Sequence, residues 1–218
     1  MSQHTLTLLR FTYKKLKEKL TVSDSKKLFH EQFPFVIPGL YKKIVDEMLV
    51  ELNLLNHQNE FKQDYLFCVG LTETFKELTK GYKPDEHLDL LFESLCISTN
   101  FEAKEIKEIS LKSQKEFKDK SLKDILKLLK EKINYKLYPS RIFNLGMYII
   151  ISNCKNLQGE NESQANKIIK DFFEKLNLSF NKAEKDIGIY KSSITKMKQA
   201  KELIEELRIK DKKKEEKK

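Results

Sequence analysis

The stretch TVSDSKKLFHEQFPFVIPGLYKKIVDEMLVEL, residues 21–52, decides the fold class of this chain. It opens with Thr21 three residues before Asp24, the spacing of a capping box, in which each side chain binds the other residue's backbone N–H. The two prolines that follow end this first helix and open another. From Leu40 onward, apolar residues recur every three or four positions, which predicts an amphipathic helix with one buried face. The stretch therefore predicts helices packed on helices.

The same alternation of cap and apolar periodicity continues along the chain. Asp64, Pro84, Ser121 and Ser140 each stand where a helix is expected to begin. The 218 residues include only six Gly and four Pro, too few turn residues for a fold of many short strands. We therefore predict an all-α fold, with a single helical domain over residues 21–178.

After this domain the pattern changes to a heptad. Four apolar residues carry it: Ile187, Tyr190, Ile194 and Met197. This spacing predicts a long, coiled-coil-like C-terminal helix over residues 181–209. Residues 1–20 are expected to form an N-terminal basic segment, and residues 210–218 a disordered charged tail.

A short motif, Phe-x-x-Gly, occurs twice, at Phe67–Gly70 and at Phe143–Gly146. Both copies fall on predicted apolar helices. A residue without a side chain lets a neighbouring backbone come close, so each glycine predicts a tight helix contact. Four residues are too few to indicate a duplicated domain.

The net charge of +9 raises the possibility of nucleic-acid binding. However, only three of the 42 basic residues are arginine, the side chain that best forms bidentate phosphate and guanine contacts. The last eleven residues hold seven basic and three acidic groups, which accounts for +4 of the total. A solvated lysine-rich surface explains the charge better, and a basic helical nucleic-acid-binding protein is the alternative hypothesis.

No motif predicts catalysis or a cofactor. The four histidines are scattered, and no pair of glycines has the spacing of a phosphate-binding loop. Ser23 and Ser25 beside Asp24 suggest a hydrolase as a further alternative, but helix capping explains these residues without a nucleophile. We predict a protein that is not an enzyme and needs no cofactor or metal. Three cysteines are predicted to be buried, reduced thiols: Cys68, Cys96 and Cys154.

Five collinear segments resemble the thylakoid formation family of cyanobacteria and chloroplasts. They are TVSDSK (21–26), IPGLYKKIVDEMLVELNLL (37–55), DYLFCVGLTETFKELTKGYKPDEHLDLLFESLC (64–96), YPSRIFNLGMY (138–148) and DIGIYKSSITKMKQAKELIEEL (186–207). The resemblance covers residues 21–207. Two departures stand out: the family often has Asp-Pro where this chain has Asp64-Tyr65, and residues 101–134 are unusually rich in lysine.

The resemblance implies an auxiliary factor in thylakoid biogenesis and photosystem II repair that binds and supports a membrane protease of the FtsH type. Nucleic acid is not an expected partner. The segment at 21–26, the helix after it and the heptad face are expected to supply docking residues. The predicted partner-binding residues are Asp24, Lys26, Tyr41, Lys42, Lys43, Ile187, Tyr190, Ile194 and Met197.

The expected location is the cytoplasmic face of the thylakoid membrane, or the cytoplasm, of a cyanobacterium. No apolar run approaches the ~20 residues that a membrane-spanning helix needs, and the N-terminal sequence has neither a signal-peptide core nor a transit-peptide composition. Peripheral attachment is expected to depend mainly on a protein partner, because acidic residues in the C-terminal segment offset its lysines.

Overall fold

The structure is a computed structural model that describes residues 19–132, 139–154 and 162–215. Within these ranges the chain forms nine α-helices and no strand, so the predicted all-α class is confirmed. The helices are α1 (Val22–Gln32), α2 (Gly39–His57), α3 (Tyr65–Leu78), α4 (His87–Ile97), α5 (Ala103–Phe117), α6 (Leu122–Lys132), α7 (Arg141–Ser152), α8 (Glu162–Lys175) and α9 (Phe180–Glu215).

The helices divide into two compact units. The first comprises residues up to 61 together with 81–106, and it contains α1, α2, α4 and the first turn of α5. In this unit α1, α2 and α4 pack on one another. The fully buried ring of Tyr82 meets the ring of Tyr41 edge-on, with centroids 5.1 Å apart.

The second unit comprises residues 62–80 and 107–218, and it contains α3, the rest of α5 and α6 to α9. Its core is built on the crossing of α3 and α7, the most extensive helix pair in this unit. Val69, Phe143 and Phe173 are among its buried side chains. Burial of this continuous apolar cluster is the main term that holds the unit together.

The two Phe-x-x-Gly motifs meet at this crossing. A Cβ atom placed on Gly70 would lie 2.0 Å from the Ile142 carbonyl oxygen and 2.9 Å from the Gly146 backbone nitrogen. A Cβ atom on Gly146 would lie 1.9 Å from the Leu66 carbonyl oxygen. The expectation that each glycine admits a neighbouring backbone is therefore confirmed. In addition, the structure shows that each glycine's neighbour is the helix carrying the other motif.

This division differs from the predicted single domain over residues 21–178. Helix α3 belongs to the second unit, although the segments before and after it in sequence belong to the first. One boundary falls beside Gly81 and Pro84, but α5 runs through another without a break. The division depends on contacts distant in sequence, which local composition does not reveal.

Helix α9 is longer than predicted. It has 36 residues and runs to Glu215, so it is about 54 Å long at 1.5 Å per residue. The helix therefore includes residues 210–215 of the tail that was predicted to be disordered. It continues beyond 209 because the lysine-rich end contains no helix breaker. Residues 1–18 of the predicted basic segment and residues 216–218 lie outside the described residues.

Candidate partner-binding surfaces

The start of α1 is held by the predicted capping box. Thr21 Oγ1 accepts a hydrogen bond from the Asp24 backbone N–H at 3.1 Å, and Asp24 Oδ2 accepts one from the Thr21 backbone N–H at 3.1 Å. The Thr21 hydroxyl also donates to Asp24 Oδ2 at 2.7 Å. The prediction of a cap is confirmed, and the Asp24 carboxylate, although exposed, is engaged in starting its own helix.

Asn53 links this cap to α2, and the sequence analysis missed it. Its side chain is only 2% exposed, and Nδ2 donates to the Leu20 carbonyl oxygen at 2.7 Å and to Ser25 Oγ at 2.8 Å. The available signal was an amide on the apolar face of α2, next to Leu52. Such an amide is tolerated inside a protein only when its hydrogen bonds are satisfied.

The same contacts bear on the hydrolase hypothesis. Ser25 is buried and its hydroxyl oxygen accepts the Asn53 hydrogen bond, so it is not presented to a substrate. Ser23 is exposed on α1, and Asp24 beside it is engaged in the cap. Ser25 is therefore explained by the way α1 packs on α2, and the cap of α1 uses Thr21 and Asp24 instead of either serine. Among the residues that the structure describes, no group of three or more His, Cys, Asp or Glu is placed to hold a metal ion.

The prediction that three cysteines are buried thiols is confirmed. Cys68, Cys96 and Cys154 are all buried, and they form no disulfide bond with one another. They lie on apolar helices, or just after one in the case of Cys154, and behave as small apolar residues.

The predicted docking residues at the start of α2 divide by burial. Lys42 and Lys43 are exposed, with Lys43 3.8 Å from Glu47, and Lys26 on α1 lies 3.6 Å from Asp46. Surface ion pairs of this kind are weak and leave lysines available to a partner.

Tyr41, also among the predicted docking residues, differs from the two lysines beside it. It is buried and packs edge-on against Tyr82, because it lies one helical turn before Val45 on the inward face of α2. Burial, together with the nearby Tyr82, raises the pKa of Tyr41 above its ordinary value, so its hydroxyl stays protonated.

The four heptad residues predicted as docking residues of α9 are buried or half-buried. Ile187, Tyr190 and Met197 are only 6%, 7% and 7% exposed, and Ile194 is half-buried. Ile187 and Tyr190 belong to the core of the second unit, and Ile194 packs against it. Among the described residues, the apolar seam is thus covered by the unit's own helices. Burial is the main cause that raises the pKa of Tyr190 to about 12, assisted by Glu77, Tyr148 and Glu73.

Exposed apolar residues lie elsewhere. Leu203 and Leu207, beyond the packed half of α9, are 57% and 51% exposed, and Ile204 beside them is 39% exposed. They lie on one side of the helix because positions 203, 204 and 207 follow helical spacing. We call these three residues the distal stripe. Exposed leucines and isoleucines grouped on one helix face are typical of interaction surfaces.

A cleft opens on the second unit between α5 and α7. Its volume is about 280 Å³, and its buried lining is formed by Val69, Phe117, Ile149 and Ile150. Exposed side chains, among them Lys115 and Lys118, line its mouth. The cleft and the distal stripe were not assigned from the sequence.

Together these features describe an all-helical protein with a cleft on its second unit and exposed apolar residues on α9. No helix in the described ranges combines the length and apolarity that crossing a bilayer requires. The model of the thylakoid formation protein family matches residues 21–218. The chain therefore belongs to the thylakoid formation protein family, as its sequence segments indicated.

Individual relatives agree with this membership. The chain is 81% identical over 199 residues to the protein Thf1 of Prochlorococcus marinus strain MIT 9312, with 91% of this chain and 99% of the relative covered. It is 39% identical over 202 residues to Thf1 of Synechococcus sp. strain CC9605, with 90% and 92% covered. A solved structure of Psb29 superposes with a TM-score of 0.81 at 26% identity, covering 89% of this chain and 98% of that one.

Proposed function

We propose that this protein is a non-enzymatic auxiliary factor in thylakoid membrane biogenesis and photosystem II repair, which binds and supports an FtsH-type membrane protease. The observation that carries the proposal is the family match across residues 21–218, a range that includes every described helix. Recognition of a protein partner needs no catalytic group, and helices with exposed side chains are sufficient for it.

The accessible residues restrict where such a partner binds. Of the residues first expected to dock, Lys26, Lys42 and Lys43 are on the surface of the first unit. Tyr41 and the heptad face are in the interior and act through stability instead. We therefore assign Lys42 and Lys43, as a basic edge, to contact with an acidic part of the protease complex. Charges at the edge of an interface mainly affect the rate of association and its salt dependence.

We further propose that the protein sits peripherally on the cytoplasmic face of the thylakoid membrane, held by this partner. Each lysine near an anionic leaflet contributes at most ~1 kcal/mol, and the effect decays within a Debye length. The distal part of α9 also carries acidic residues, including Glu205 and Glu206, that oppose such attraction. A protein partner is thus the better anchor.

The experiment is a co-purification from membranes. A tagged full-length chain would replace the endogenous copy in a cyanobacterium, and membranes would be solubilised in mild detergent after high-light stress. The protease should be recovered with the tagged chain. For Lys42→Glu/Lys43→Glu recovery should fall and become less sensitive to salt, because the attraction that salt screens has been removed. The matched control Lys104→Glu/Lys130→Glu makes the same charge change at two other exposed lysines and should keep the protease.

Two results would contradict the proposal. One is that no protease is recovered with the wild-type chain under any light condition. The other is that recovery of partners is abolished by nuclease, with affinity for DNA falling steeply as salt rises, which would support the nucleic-acid-binding alternative.

A further inference from the structure

The cleft between α5 and α7 has an apolar interior and a basic mouth. Val69, Phe117 and Ile150 in its lining are all less than 5% exposed, whereas Leu111 at its mouth is 56% exposed. Lys115 and Lys118 lie on the same side of the mouth, one helical turn apart, and Asn153 lies opposite them on the turn that ends α7. Leu111 therefore extends the apolar lining of the cleft to its mouth.

Polar contacts hold one wall of the cleft in place. Ser110 on α5 is buried, and its Oγ lies 2.5 Å from Thr72 Oγ1 on α3. Gln114, which lines the cleft, donates from Nε2 to Ser110 Oγ and to Glu73 Oε1, both at 3.1 Å. These bonds fix α5 relative to α3 within the second unit. The cleft is therefore formed before any ligand binds, and binding does not require the wall to be ordered.

The volume of the cleft limits what it can hold. At about 280 Å³ it falls just below the range of ~300–1,000 Å³ that is usual for small-molecule and cofactor sites. It has room for one or two apolar side chains. Single apolar or aromatic side chains that insert into a preformed pocket are the residues that dominate the affinity of protein interfaces.

The charge at the mouth selects the partner. Neither Lys115 nor Lys118 has an ion-pair partner among the described residues, whereas the neighbouring Glu116 is engaged by Lys132 at 2.5 Å. Glu73 is likewise engaged by Gln114. Asp119, in the turn after α5, reduces this positive charge but does not cancel two lysines. A partner with carboxylates on either side of its apolar anchor would complement the mouth.

We propose that this cleft binds an acidic peptide segment of a partner protein, with one apolar side chain in the cleft and carboxylates beside Lys115 and Lys118. The proposal rests on the proposed function only in that the partner is a protein. It gives a role to the lysine-rich segment around α5.

The test uses the purified full-length chain and three labelled peptides. The probe places one phenylalanine between two pairs of glutamates. One control peptide replaces the phenylalanine with serine, and the other replaces the glutamates with glutamines. Fluorescence anisotropy should show binding of the probe, with each control peptide weaker by about tenfold or more. Backbone amide NMR shifts should be confined to the second half of α5, the end of α7 and the part of α3 near Val69.

Variants of the chain should separate the contributions. Lys115→Glu/Lys118→Glu should weaken the probe by about tenfold, and Leu111→Asp should weaken it without altering the far-UV circular dichroism, because Leu111 is exposed. Lys104→Glu/Lys130→Glu, with the same change in net charge away from the cleft, should bind the probe like the wild type.

The proposal is overturned if the serine peptide binds as well as the probe, or if both double variants weaken binding equally, since either result would show non-specific charge attraction. It is also overturned if sodium decanoate shifts the cleft amides while the probe does not, which would indicate an amphiphile site. Failure here and failure of the proposed function are distinguishable. Protease recovered with the wild-type chain but no probe binding would reject only the cleft, and probe binding without recovered protease would reject only the function.

Discussion

Replacing Gly70 with alanine tests whether the crossing of α3 and α7 is the centre of the second unit. The added Cβ would lie 2.0 Å from the Ile142 carbonyl oxygen, 2.9 Å from the Gly146 nitrogen and 3.0 Å from the Ile142 carbonyl carbon. All three are backbone atoms, so no flexible side chain can move away. The two helices would have to separate by about 1 Å or more to restore ordinary contact distances.

The magnitude follows from two opposing terms. Alanine stabilises a helix interior by roughly 0.5–1 kcal/mol relative to glycine. Overpacking a core costs typically ~1–3 kcal/mol and occasionally more, and a clash of backbone with backbone belongs at the upper end. We expect Gly70→Ala to lower the free energy of unfolding by about 2 kcal/mol or more. At ~2–4 °C per kcal/mol for a chain of this size, the melting temperature should fall by about 4–8 °C.

Urea and thermal denaturation followed by circular dichroism at 222 nm would measure this loss. Gly188→Ala is the matched control, because Gly188 is also inside a helix but a Cβ there meets nothing within 4 Å. The control should gain roughly 0.5–1 kcal/mol. The double variant Gly70→Ala/Gly146→Ala should cost less than the sum of the two single variants, since one separation of the helices relieves both clashes. If Gly70→Ala is as stable as Gly188→Ala, the close crossing does not exist in solution.

Three further changes have defined outcomes. Asn53→Ala should lower the free energy of unfolding by ~1–3 kcal/mol in urea denaturation, because it leaves the Leu20 carbonyl oxygen without its buried donor; an unchanged midpoint would contradict the buried link. Burial raises the pKa of Asp64 from 3.8 to about 6, although hydrogen bonds from the Phe67 and Leu66 backbone lower it. The folded state therefore favours the protonated carboxyl group. The free energy of unfolding should fall by about 2–3 kcal/mol between pH 4 and pH 6 and stay level above pH 6. Asp64→Asn should remove that slope, and a slope that persists in it would assign the effect to other groups. Ile187→Ala should cost ~2–5 kcal/mol in thermal or urea unfolding, whereas an exposed docking residue would cost almost nothing.

The sequence predicted best those features that depend on residues close together in the chain. The Thr21–Asp24 cap was recognisable because its two partners are three residues apart, and both hydrogen bonds are present. The same holds for Asp64, whose carboxylate accepts from the Phe67 N–H at 2.8 Å. In each case the spacing alone determines the contact, since a helix start places these atoms together whatever the rest of the fold does.

Features that depend on distant residues were predicted only in part. The spacing of Ile187 and Tyr190 showed correctly that they share an apolar face, but periodicity does not say what covers that face. Here it is covered by the unit's own core instead of a partner. The two Phe-x-x-Gly motifs predicted close approaches without showing that the helices approach each other. The acceptors of the Asn53 amide are 28 and 33 residues away, so the sequence showed a polar residue on an apolar face without showing its partners.

The burial of Ile187 and Tyr190 changes which experiments can identify a partner surface. A polar substitution at Ile187 or Tyr190 would release the protein from a membrane simply by unfolding the second unit, so its loss of binding carries no information about docking. Substitutions in the distal stripe should not unfold the second unit, because Leu203 and Leu207 are about half exposed and belong to no described core. Since α9 is continuous, its first half anchors the helix in the second unit and its second half carries the stripe as a rigid extension.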